Sequence, residues 1–176
     1  MRVDQAGRPV HPWINEIISD ELGVFTGKGF FWYWGPNKTV DPIVFRHDLD
    51  QPHVMLIVRE DTHDLALPGG FHDDGETYAE GAAREAREET LIDIGNIAAR
   101  FVYSGPLADR RATANAWPHT DAFRFDIPDS IAKDLPMEWE GGEEVEKAIW
   151  APLDKVDELV LGSHSLMIGM AAKLRR

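Results

Sequence analysis

Short apolar, β-branched runs alternate with one long, charge-rich amphipathic run along this chain. Asp41 to Arg46 and His53 to Glu60 have the length and composition of strands. Leu65-Ala66-Leu67 predicts a brief strand, ended by the turn signal Pro68-Gly69-Gly70. Thr77-Tyr78-Ala79-Glu80 fits a capping box, in which the hydroxyl and the carboxylate satisfy free amides at a helix start. The run from there to Thr90 is rich in Ala, Glu and Arg and predicts a helix. Strands are predicted at Ile97 to Tyr103, Thr120 to Asp126 and Val145 to Trp150. Pro152 occupies the place of a first-turn proline for a short helix, Leu153 to Leu159, and Ser163 is placed to cap a last helix, Leu166 to Leu174.

Residues 1 to 40 give no such pattern. Their glycine and aromatic clusters, Gly27 to Trp34 and Gly35-Pro36-Asn37, predict a loop-rich N-terminal extension packing on a core domain of residues 41–176. The aromatics Phe30 to Trp34 read as core or subunit contact in preference to a base clamp. Neither an internal repeat nor a low-complexity linker interrupts the chain. The element order predicts an α/β sandwich around a mixed sheet.

The length of 176 residues and 43% hydrophobic content suit one domain with a proper core. No apolar run is long enough for a membrane span, and Met1 to Asp20 lacks the pattern of a secretory signal. Without cysteine there is neither a disulfide framework nor thiolate chemistry, which fits a cytoplasmic protein. A net charge of −13 disfavours nucleic acid as a partner and also repels small phosphates. An anionic ligand therefore needs local arginines or a bound cation.

The acidic residues concentrate at Asp73 to Glu89 and Glu138 to Glu146. Within the first group, Glu85, Glu88 and Glu89 stand at i, i+3 and i+4, which puts them on one helix face with Cβ atoms roughly 5–6 Å apart. Like charges at that spacing cost a few tenths of a kcal/mol per pair. Two readings stand: an exposed acidic face relieved by Arg84 and Arg87, or a set of oxygen ligands for a hard divalent cation.

The surrounding spacing favours the second. From Gly70 there are five residues to Glu76 and seven more to Arg84-Glu85-Ala86-Arg87-Glu88-Glu89, with Ile92 as the closing apolar residue. This resembles the Nudix signature, G-x5-E-x7-R-E-U-x-E-E-x-G-U, where U is a bulky apolar residue. Ala86 is smaller than the usual apolar residue, and Leu91 stands where the signature has its last glycine, a residue that permits a left-handed turn. The resemblance implies a Nudix fold: a mixed sheet in an α/β/α sandwich, with a catalytic loop–helix–loop that holds Mg²⁺, or Mn²⁺ in its place, against a diphosphate. It implies Glu85 and Glu89 as direct ligands, Glu88 as a ligand directly or through water, and the Gly69 carbonyl as a further one. Glu76 and Arg84 would pair to brace the loop. The implied chemistry is attack on phosphorus by water of lowered pKa, with no covalent intermediate on a side chain.

Further segments resemble the ADP-ribose pyrophosphatases of animal mitochondria and the ADP-ribose-sensing domain of melastatin-type cation channels. They are Trp34 to Asn37, Asp41-Pro42-Ile43, Ala66 to Gly70, Asp109 to Trp117 and Ser163-His164-Ser165. Leu91 is shared with the channel domain. The likeness implies ADP-ribose as ligand, with Asp109, Arg111, Asn115, Trp117 and His164 as its contacts. Arg111 suits a phosphate through its planar fork, Asp109 suits ribose hydroxyls, and His164 can donate to phosphate or ribose. Each has a plainer alternative: an Arg111–Asp109 surface pair, Trp117 in the core, His164 as a helix-start residue. Glu143 and Glu144 are the candidates for a general base, or are solvated loop residues. Three functions compete: hydrolysis of ADP-ribose, a broader diphosphatase acting on NADH or nucleotide sugars, and a sensor domain that binds without cutting. The expected partner is a small nucleotide, with neither nucleic acid nor membrane, and the chain is expected to be a monomer or homodimer.

Overall fold

The computed structural model describes residues 1–17, 25–160 and 162–175. Residues 18–24 of the expected N-terminal extension lie outside the described residues. In chain order the elements are α1 (Ile14–Ile17), β1 (Gly35–Arg46), β2 (His53–Arg59), β3 (Leu65–Ala66), β4 (Gly70–Phe71), α2 (Tyr78–Thr90), β5 (Arg100–Pro106) and β6 (Ala116–Asp126). There follow α3 (Asp129–Ala132), β7 (Glu138–Glu140), β8 (Val145–Pro152), α4 (Val156–Leu159) and α5 (Ser163–Ala172), with a 3₁₀ turn at Leu153–Lys155 before α4.

The strands form one sheet in the order β5-β6-β1-β2-β8-β7, with β3 on β2 and β4 on β1. The pairs β1–β2, β2–β3, β2–β8 and β7–β8 are antiparallel. β1 and β6 run parallel: the Gly35 N–H bonds the Asn115 carbonyl at 2.7 Å, and the Ile127 N–H bonds the Phe45 carbonyl at 2.9 Å. The sheet is therefore mixed, as the element order predicts.

By contacts the chain divides into two units, residues 1–39 with 104–120 and residues 40–103 with 121–176. In the second unit the apolar face of α2, Ala82 and Ala86, packs on Val40, Val44, Met55, Phe125 and Trp150. Each large side chain fully removed from water here contributes about 1.5–3 kcal/mol. Side chains alternate across a strand, so Arg124 and Asp126 point to the other face. There Arg124 donates from Nη1 to the carbonyls of Ala171 and Leu174, both at 2.8 Å, at the end of α5. Its guanidinium also lies 4.7 Å over the Phe45 ring. A helix on each face makes the α/β/α sandwich.

In the first unit, residues 104–120 group with the N-terminal segment. Backbone bonds run from His11 N–H to Ala114 O at 2.9 Å and from Ala114 N–H to Phe25 O at 2.8 Å. Thr113 Oγ1 donates to Gly27 O at 2.6 Å. The expectation of a core role for Phe30 to Trp34 holds only for Phe31: Phe30 is 85% exposed and Trp32 73%, while Phe31 is buried.

Several elements differ from their sequence-based bounds. β1 begins at Gly35, because a backbone ladder can extend where side-chain patterning is absent. The short elements β4, α3 and β7 have too few residues for any period to show. Ser163 does not cap α5; Gly162 is the N-cap, at φ 68°, without a side-chain bond, and Ser163 is already helical. Among the described residues no helix is long and apolar enough to cross a membrane.

Candidate functional site

The capping box predicted at Thr77 forms. Glu80 N–H donates to Thr77 Oγ1 at 3.3 Å, and Thr77 N–H donates to Glu80 Oε2 at 2.8 Å, so α2 starts where the sequence places it. Its far end is capped from outside the helix. Glu143 N–H donates to Glu88 O at 3.0 Å, Gly142 N–H to Glu89 O at 2.8 Å, and Trp139 Nε1 to Thr90 O at 2.6 Å. Leu91 N–H takes Arg87 O at 2.9 Å, with Leu91 itself left-handed at φ 62°. The carbonyls that end any helix without partners are thus satisfied by Leu91, by Trp139 and by the segment carrying Gly142, Glu143 and Glu144. That segment passes close enough that a Cβ on Gly142 would lie 1.8 Å from Glu88 O. The sequence gives no hint of this cap.

Between these caps, α2 points Glu85 and Glu89 inward. They are only 8% and 9% exposed, so they are not part of a solvated acidic face. Burial pushes the Glu89 carboxyl up to about 8; the Gly69 N–H opposes the rise, and the negative charges of Glu85 and Asp41 add to it. Burial also raises Glu85, against the pull of Arg84. Glu88 is half-buried.

Arg84 is the hub of the cluster. It donates to both Glu76 oxygens (Nε to Oε2 at 3.2 Å, Nη2 to Oε1 at 3.0 Å) and to Phe71 O at 2.9 Å. These bonds hold the Glu76 carboxyl below its usual range. Nη1 of the same guanidinium bonds Glu85 Oε1 at 2.8 Å and Glu88 Oε2 at 2.9 Å, and so lies between the two carboxylates.

The Pro68-Gly69-Gly70 turn presses on this cluster. Gly69 N–H donates to Glu89 Oε2 at 2.8 Å. A Cβ on Gly70 would stand 2.6 Å from both Glu85 carboxylate oxygens. Asp41, 5% exposed, faces the same turn. Asp41 is not among the site residues expected from the sequence, although Asp41-Pro42-Ile43 is one of the resembling segments. His164 accepts the Leu67 N–H on Nδ1 at 3.2 Å.

The donor set suits a hard cation: carboxylate oxygens, two of them buried at a cost that a positive charge would offset. Among the described residues no three acidic, His or Cys groups already converge on one point. Nη1 of Arg84 instead takes one oxygen each of Glu85 and Glu88.

The remaining expected residues divide. Asp109 and Arg111 are together in the first unit, where Arg111 Nη2 and Nε both bond Asp109 Oδ2, at 2.7 and 3.2 Å. Asn115 and Trp117 are buried there. Asn115 Nδ2 donates to Pro9 O at 2.8 Å while its Oδ1 accepts the Gly27 N–H at 3.1 Å. Trp117 packs edge-on to His11, with ring centroids 4.9 Å apart. Both side chains spend their surface inside the unit. Glu143 and Glu144 are exposed, with Glu144 at φ 57°. A shallow cleft of about 230 Å³ lies along the flank of α2 that carries Ala79, Ala83 and Arg87. Neither Glu85 nor Glu89 lines it.

Comparison with known proteins follows the same lines. The model of the NUDIX domain matches residues 37–168. The mitochondrial ADP-ribose pyrophosphatase of Rattus norvegicus is 29% identical over 96% of this chain and 55% of its own. The chain thus spans a little over half of that relative. A transient receptor potential cation channel, subfamily M member-like 2, of Nematostella vectensis is 26% identical over 85% of this chain and 11% of its own. Among solved structures, the NUDIX domain of Shewanella oneidensis NrtR complexed with ADP ribose superposes with a TM-score of 0.62. It is 19% identical and covers 92% of this chain and 96% of that one.

Proposed function

The chain belongs to the NUDIX domain family, and from that premise we propose that it hydrolyses the diphosphate bond of ADP-ribose, adding one water to give AMP and ribose 5-phosphate. The observation that carries the reading is the pair of buried carboxylates, Glu85 and Glu89, on α2 beside the Gly69 turn. A protein that keeps two such groups without a cation carries a cost it does not need. The named activity of the rat relative supports ADP-ribose as substrate.

In this reading Glu85, Glu89 and the Gly69 carbonyl would hold Mg²⁺, or Mn²⁺ in its place, with Glu88 assisting. Such a cation supplies neutralisation of the diphosphate and water of lowered pKa. The bonds of Arg84 to Glu76 and Phe71 O would hold the loop in place beside the cation. Glu143 or Glu144 takes the proton from the attacking water. Arg111 and Asp109 are the proposed contacts to phosphate and ribose, and Asn115 and Trp117 hold the segment that carries them. We extend the reading to residues 41–176 as the catalytic domain and to a cytoplasmic location.

Turnover measured side by side on ADP-ribose, NADH and a nucleotide sugar tests the substrate. A clear preference for ADP-ribose supports the reading. Flat rates replace it with a broad diphosphatase. Binding that raises the melting temperature without cleavage replaces it with a sensor.

A further inference from the structure

The turn at Leu67–Gly70 is clamped by three elements at once. From α2, Glu89 Oε2 accepts the Gly69 N–H at 2.8 Å. From β1, Asp41 and the Val40 carbonyl approach so closely that a Cβ on residue 69 would lie 2.7 Å from Asp41 Oδ1 and 2.6 Å from Val40 O. From the first turn of α5, His164 Nδ1 accepts the Leu67 N–H at 3.2 Å. A backbone N–H only donates, so Nδ1 is the bare nitrogen and the ring proton sits on Nε2. Nε2 in turn faces Asp41 Oδ1 at 3.9 Å. Nδ1 is therefore committed to the Leu67 backbone, while Nε2 lies beyond direct hydrogen-bond reach of Asp41.

We propose that His164 is a positioning residue, which sets the Leu67–Gly70 turn through its Nδ1. This departs from the ligand contact that the Ser163-His164-Ser165 resemblance implies. It rests on the reading that a divalent cation binds between α2 and the Gly69 carbonyl. The physical logic is that of an outer partner orienting a ligand group. The Gly69 carbonyl has no side chain to aim it, and its direction is set by the peptides on either side. Leu67 is two residues away and fully buried, so its N–H finds no water if the imidazole leaves. The turn would then rotate to satisfy it. α5 thereby reaches the Leu67–Gly70 turn through His164.

The test compares the wild type with His164→Asn and His164→Phe. Asn places Oδ1 close to the position of Nδ1 and keeps an acceptor; Phe keeps the ring volume and removes it. Amide hydrogen exchange at Leu67 and Gly69 reads the turn directly, and Mn²⁺ titration followed by electron paramagnetic resonance reads the cation. Kinetics at saturating metal separate KM for nucleotide from kcat. In His164→Phe, exchange at Leu67 is expected to rise about tenfold, the worth of one hydrogen bond, and Mn²⁺ affinity to fall by a similar factor. His164→Asn is expected to stay within about twofold of the wild type in both. Unchanged exchange and Mn²⁺ affinity in His164→Phe would overturn the proposal. So would an equal rise in nucleotide KM in both variants with metal affinity intact, because that marks a ligand contact. If no protein cleaves any nucleotide, the proposed activity fails, while exchange and Mn²⁺ binding still decide the role of His164.

Discussion

Glu89→Gln should make the metal-free protein more stable, and only at neutral to alkaline pH. The Glu89 carboxyl is 9% exposed and pushed up from the ordinary 4.5 to about 8. An acid with a raised pKa in the folded state costs nothing below its unfolded pKa and its full amount above its folded pKa. Stability therefore falls as pH rises from about 4.5 to about 8, and Gln at this position removes the fall. The shape is conserved, and Gln Oε1 still accepts the Gly69 N–H that now reaches Glu89 Oε2 at 2.8 Å. At 1.36 kcal/mol per unit of pKa, the ceiling is about 5 kcal/mol. Relaxation and water penetration lower it, and about 1–3 kcal/mol is the expected gain. For a chain of this size each kcal/mol moves Tm by about 2–4 °C. The assay is thermal unfolding in a chelator at pH 5 and pH 8, repeated with Mg²⁺ at pH 8. The variant should melt several degrees above the wild type at pH 8, with the gap nearly closed at pH 5. Added Mg²⁺ should raise the wild type more than the variant, since a ligand bound only to the folded state stabilises it. Equal melting at pH 8, or a gap of the same size at pH 5, would refute the burial argument.

Two other changes probe the end of α2. Leu91 is left-handed at φ 62° and 65% exposed, so Leu91→Gly gives up little burial and relieves about 1 kcal/mol of backbone strain; denaturant unfolding should show a higher midpoint. Gly142→Ala places a Cβ 1.8 Å from Glu88 O and must push the capping segment away; a loss of about 1–3 kcal/mol is expected, together with faster amide exchange at Gly142 and Glu143.

What was legible in the sequence was what depends on local chemistry. The α2 start follows from Thr77 and Glu80 alone, because a capping box closes within four residues. The strands at His53 and Val145 follow from β-branched runs that pair along most of their length. The fold follows from the resemblance to the Nudix signature, and the shared face of Glu85, Glu88 and Glu89 from their spacing on one helix. Contacts between distant segments left no such trace. The carbonyls just before Leu91 are capped by Trp139, Gly142 and Glu143, some fifty residues downstream. Asp41 joins the site only because β1 runs beside the Gly69 turn. Asn115 and Trp117 read as ligand contacts in a motif, yet their bonds and burial belong to the first unit. A motif records which residues sit together, and leaves open which of them face outward.

The most direct measurement is chromatographic product analysis with ADP-ribose for the wild type and Glu89→Gln, each with Mg²⁺ and with a chelator. The account predicts AMP and ribose 5-phosphate from the wild type with Mg²⁺, none with the chelator, and little or none from the variant in either condition. Products formed in the chelator, or at wild-type rates by Glu89→Gln, would contradict it.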